Sequence, residues 1–164
     1  MEKTHHYALT MNWRGNTGTG TSAYRAYARD YSYQCEGKPE IQGSADPAFR
    51  GDRTKYNPEE LLLAALSACH MLSYLHVCAE AGIIVTSYMD QATGKMQVTD
   101  GGRKGKFEEV TLNPLVTITD HLRIEDANRL HGKANEMCFI ESSVNFPVLH
   151  RPNSIVSDAI EKEG

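Results

Sequence analysis

The sequence predicts an α+β domain, and three observations predict it. An apolar stretch from Asn57 to Ala81 has the length and the start signal of a long helix. A second helical periodicity covers Ile124 to Met137. The segments before, between and after these helices alternate as strands do, and they come in runs instead of one strand per helix.

Taken in order, Tyr7 to Trp13 alternates moderately and reads as a first strand. Gly15 to Gly20 is turn chemistry. Ser22 to Tyr33 carries Tyr24, Tyr27, Tyr31 and Tyr33 and reads as the second strand of a hairpin. Gly37 to Tyr56 shows little periodicity, so a long ordered loop is expected there, a type of segment that tends to carry function. Asn57 then supplies an N-cap, Pro58 the first helical position and Glu60 the reciprocal partner of a capping box. Gly82 supplies the stop. A helix over 57–81 spans roughly 36 Å. It is apolar on nearly every side, so it is expected to run through the middle of the core.

Ile83 to Met89 and Lys95 to Thr99 read as strands, and Asp100-Gly101-Gly102 as a turn. Phe107 to Thr119 is a long strand broken near Asn113-Pro114. The second helix, 124–137, places Ile124, Ala127, Leu130, His131 and Ala134 on one face. Cys138 to Val144 reads as a short helical segment, and Phe146 to Leu149 as a last extended piece.

At 164 residues the chain is expected to be a single domain over 1–164. Apolar residues make up 40% and charged residues 23%, the balance of a globular chain rather than a disordered one. A net charge of −4 argues against nucleic acid or an anionic membrane as partner. No stretch approaches the roughly eighteen uninterrupted apolar residues of a membrane span. Residues Met1 to His6 contain no apolar leader, so a reducing cytoplasm is the expected compartment. There, disulfides among Cys35, Cys69, Cys78 and Cys138 would be transient and catalytic rather than structural.

Cys69 lies on the long helix, on the apolar stripe of Leu62, Leu66 and His76, beside the small residues Ala64, Ala65, Ser67 and Ala68. Only a thiolate attacks a peroxide oxygen, and an apolar setting opposes its formation. A mid-helix thiol has no help from the helix N-terminus, so a cation must come from elsewhere. Arginine suits, and Arg14, Arg25, Arg29, Arg50 and Arg53 are the candidates. Glu59 sits about 15 Å along the axis from Cys69 and would act by holding such a cation, not by touching the sulfur. Cys35 and Cys78 read as apolar filler, and His70 and His76 as core or interface residues. A zinc set of Cys69, His70, His131 and Cys138 has suitable atom types but no familiar ligand spacing. No metal and no cofactor are therefore expected.

The run from Asn57 to His70, with Pro58, Glu59 and Cys69 in place, resembles the signature helix of the osmotically inducible protein C and organic hydroperoxide resistance family. Ala134 to Ile140, around Cys138, resembles the segment of that family's second thiol, and Trp13 to Asn16 with the glycine-threonine run its opening hairpin. The resemblance implies an OsmC-like fold: two cysteine-bearing helices packed against antiparallel sheets in an intertwined homodimer, with active sites at the subunit interface. It also implies a thiol peroxidase acting on organic hydroperoxides. Cys69 then matches the attacking thiol, Cys138 the resolving thiol and Glu59 the carboxylate that orients an arginine. An external dithiol, such as a lipoylated protein, would restore the pair.

Two departures stand out. The family's hairpin arginine falls where this chain has Thr17, so Arg29, or alternatively Arg50, is expected to serve. Cys138-Phe139-Ile140 lacks a proline often found after the second cysteine. Leu62 and Leu66 are expected to line the substrate pocket. A non-catalytic protein holding a small hydrophobic ligand on the same dimeric fold is the rival reading.

Overall fold

The computed structural model describes residues 3–156, and the expected domain over 1–164 extends beyond them at both ends. Two compact units, Met1–Leu62 and Leu63–Gly164, divide within the long helix. The order of strands, helix, strands, helix and short strands is that of a mixed α+β chain.

The N-terminal unit holds a three-stranded antiparallel sheet of β1 (Thr10–Trp13), β2 (Tyr31–Gln34) and β3 (Ile41–Gly43). The strand expected over 22–33 is cut down to β2. Ala26 N–H turns back onto the Ala23 carbonyl at 2.9 Å, and only Tyr27 makes an isolated bridge, to Asn16. The expected loop over 37–56 contains β3 and a single 3-10 turn at Pro47–Phe49, capped by the Asp46 carboxylate on Ala48 N–H.

Helix α1 (Pro58–Glu80) starts with the predicted capping box. Glu60 N–H donates to Asn57 Oδ1 at 2.8 Å, and Asn57 N–H donates to Glu60 Oε2 at 3.1 Å. It ends at Gly82, whose φ of 68° lets Ile83 N–H reach back to the Cys78 carbonyl at 2.9 Å.

In the C-terminal unit, β4 (Val85–Asp90) pairs with β7 (Pro114–Ile118), which pairs with β9 (Asn153–Val156). A second sheet has the order β5 (Thr93–Thr99), β6 (Lys104–Leu112), β8 (Val148–His150). The sheets are mixed rather than antiparallel as expected, because β8 and β9 return alongside β6 and β7 in parallel. Helix α2 (Ile124–Met137) has the predicted bounds. The core joins Tyr74, Val77 and Cys78 of α1, Ile83, Val116 and Ile118 of the β4–β7 region, and Ala127 and Ala134 of α2.

Helix α1 does not run through the middle of this core as expected. Only Leu66, His70, Tyr74, Val77 and Cys78, a stripe at helical spacing, are buried in the single chain. Leu72 on the other side is 64% exposed. By length and composition α1 is also apolar enough to cross a membrane, contrary to the expectation that no segment is. Polar side chains at Ser67, His70, Ser73, Tyr74 and His76 interrupt it, and its inner stripe packs on protein.

Candidate functional site

Cys69 and His70 are neighbours on α1 and face different surroundings. Cys69 is part-exposed, and with Leu72, Ser73, His76, Met137 and Phe139 it lines a cavity of about 370 Å³. Leu62 and Leu66 are not among those lining residues. Leu66 is 1% exposed because it sits on the stripe that faces the core, and the apolar lining of the cavity comes from Leu72, Met137 and Phe139.

Cys138 closes α2, its extended backbone (φ −79°, ψ 105°) ending the helix and its N–H bonding to the Asn135 carbonyl. It is fully buried, with the Cys69 thiol close enough to raise its pKa. Both are free thiols. Burial, with the adjoining Cys69 thiol adding to it, pushes Cys138 up to about 12, while the Glu141 backbone N–H pulls the other way. Cys138 therefore keeps its proton at neutral pH. Cys78 points elsewhere, into the core cluster that also holds Tyr74.

The candidate cations lie in the N-terminal unit. The Arg29 guanidinium donates to the carbonyls of Tyr27 at 2.5 Å and Tyr24 at 2.7 Å. It also lies over both of their rings, 4.1 and 4.4 Å from the centroids. Arg29 and Glu59 line one cavity of about 330 Å³ with Trp13, Tyr27, Tyr31, Ala45, Asp46, Phe49 and Pro58. Arg50 does not line it. Its backbone is left-handed (φ 67°) and its N–H ends the 3-10 turn on the Pro47 carbonyl. Arg14 is held by Ser32 and Glu40. Thr17, where the family's arginine was expected, donates its hydroxyl to the Ala26 carbonyl.

Behind Cys69 lies a buried polar cluster that the sequence reading missed as a group. His70 Nε2 and His131 Nδ1 are 2.9 Å apart. The His131 ring stacks on Tyr74 at 3.8 Å, and the His150 ring stacks on His70 at 4.3 Å. Glu141 Oε2 lies 3.4 Å from His150 Nε2. Burial lowers His70 to about 4, with His150 adding to the effect, and lowers His131 to about 3, with His70 and His150 adding. Burial raises Glu141 to about 7. Both histidines are thus neutral at neutral pH.

A helix-borne thiol on a cavity, in contact with a second thiol at the end of another helix, defines a two-thiol α+β protein. The model of the OsmC-like protein family matches residues 51–150. The chain belongs to the OsmC-like family. An OsmC-like protein of unknown function from Vibrio cholerae is similar over 91% of this chain and 99% of its own, with a TM-score of 0.81 and 28% identity. An organic hydroperoxide resistance protein from Elizabethkingia anophelis shares the fold at a TM-score of 0.64 and 20% identity, over 94% of this chain and 100% of its own. Another, from Legionella pneumophila, does so at a TM-score of 0.61 and 20% identity, with the same coverage. Among curated protein sequences none matches.

Proposed function

We propose that this chain is a thiol-dependent peroxidase that reduces organic hydroperoxides to alcohols. The observation that carries the reading is the closeness of Cys69, part-exposed on a cavity, to Cys138, fully buried and raised in pKa by the Cys69 thiol. An attacking thiol must be reachable by substrate, and a resolving thiol must be within bonding reach of the first.

The Cys69 thiolate attacks the terminal oxygen of ROOH. The O–O bond breaks, the alkoxide leaves as ROH on taking a proton, and Cys69 becomes a sulfenic acid. The Cys138 sulfur then attacks the Cys69 sulfur, releasing water and forming the disulfide. An external dithiol, a lipoylated protein being one such reductant, takes up the oxidation in two exchange steps. Arg29 and Glu59, which line one cavity of the N-terminal unit, are the proposed cation and its carboxylate. The apolar wall of Leu72, Met137 and Phe139 favours substrates with a hydrocarbon body over hydrogen peroxide.

A second copy of the chain is the proposed cover for the outer face of α1. Leu72 at 64% and Phe139 at 81% exposure flank the cavity mouth, and apolar area of this kind is commonly buried by association. The test is turnover of cumene hydroperoxide with a dithiol reductant. Saturable consumption, faster than with hydrogen peroxide, supports the reading, and a rate equal to the protein-free control overturns it.

A further inference from the structure

We propose that His70, His150 and Glu141 form a binding site for a divalent first-row transition metal of the zinc or ferrous class. One ligand atom from each of the three lies within 4.8 Å of the other two. The residues come from three separate elements: α1, the 3-10 turn Glu141–Ser143, and β8. The site is therefore assembled by the fold and is not a local sequence cluster.

Three atoms carry the argument. His70 Nδ1, His150 Nε2 and Glu141 Oε2 are all buried, and none has a hydrogen-bond partner among the described residues. His70 is fully buried. An unpaired polar atom in the interior costs about 1–3 kcal/mol, so three at one point call for a common partner. Two of them, His150 Nε2 and Glu141 Oε2, face each other at 3.4 Å without hydrogen-bond geometry. Two ligands at about 2.1 Å from a tetrahedral ion are separated by about 3.4 Å, so this edge already has the required length.

The far side of the His70 imidazole is also occupied, as a metal-bound histidine requires. His70 Nε2 is hydrogen-bonded with His131 Nδ1 at 2.9 Å. A proton on His70 Nε2 leaves the Nδ1 lone pair free for a metal. Two imidazoles and one carboxylate select zinc, iron, cobalt or nickel over magnesium or calcium, and leave at least one coordination position open.

Cys69 and Cys138 adjoin this cluster through His70 and Glu141, and thiols also take zinc, so the test separates the two. Reduced Cys69→Ser/Cys138→Ser protein is titrated with Co2+, followed by its visible spectrum, and then with Zn2+ in competition. The expected result is one ion per chain, bound about 100-fold or more weakly after His150→Ala or Glu141→Gln, each checked for an unchanged fold by circular dichroism. Zinc X-ray absorption of the unmutated reduced chain at one equivalent gives a readout that needs no variant. Imidazole scattering with a nitrogen–oxygen shell supports the site. No binding, binding indifferent to both ligand substitutions, or a sulfur shell at one equivalent overturns it.

Discussion

Cys69 and His70 are consecutive residues, yet the regions they serve differ in kind. The thiol region opens on a cavity with exposed apolar walls, and its chemistry needs a substrate to enter. The histidine region is closed, stacked from Tyr74 through His131 and His70 to His150, and four of its polar atoms, His70 Nδ1, His131 Nε2, His150 Nε2 and Glu141 Oε2, lack hydrogen-bond partners among the described residues. One step along a helix turns a side chain by about 100°, enough to place neighbours on opposite sides of a wall. The pairing teaches that a single helix can hold a reactive group toward solvent while it fixes a ligand group against the core.

The comparison breaks most visibly at Cys69 itself. Cys69→Ser is expected to lower hydroperoxide turnover by about 10³-fold or more, with little change in the thermal midpoint, since the group lies toward the cavity. Turnover and differential scanning calorimetry on the same sample check this. The reverse pattern is expected for His131→Leu. That change leaves His70 Nε2 unpaired in the interior and should cost about 1–3 kcal/mol in urea unfolding.

Acid separates the regions further. His70 and His131 have folded values of about 4 and 3, below the usual 6.5, so the unfolded chain binds more protons than the folded one as pH falls. The stability they contribute is present above about 6.5 and is lost toward the folded values. His150, also lowered by burial and opposed by Asp90, acts in the same direction. Glu141, raised to about 7, acts oppositely: it destabilises at neutral pH and relaxes as it takes up a proton. Two histidines against one carboxylate leave a net loss of about 2 kcal/mol between pH 7 and 5, since each tenfold change in a proton-binding constant is worth about 1.4 kcal/mol. Urea midpoints measured in a chelator check it, and unchanged stability at pH 5 would contradict the buried neutral state. The smallest effect belongs outside both regions. Asn57→Ala removes half of the capping box and should cost about 1 kcal/mol with turnover unaltered.

The elements legible in the sequence were those specified locally. The cap of Asn57 and Glu60, the stop at Gly82 and the one-sided periodicity of 124–137 each act within a few residues, and each is realised. Strand length was less legible. Tyrosines 24 and 27 have β-favouring side chains, but they serve as a platform for Arg29 instead of a ladder. β9 escaped notice because four residues give too little alternation to read. Cys69 and Cys138 stood out through their family resemblance. The histidine site did not, because His70 and His150 are brought together by the parallel return of β8 beside β6, with His150 opposite Leu112. No spacing rule records a contact made by a crossover of that length.

The most direct test of the account is a thiol count on the reduced protein after one equivalent of cumene hydroperoxide, with peptide mass mapping of the product. Loss of two thiols per chain with a bridge between the peptides of Cys69 and Cys138 is the predicted result. Four thiols still free, or a bridge that joins Cys35 or Cys78 instead, would contradict it.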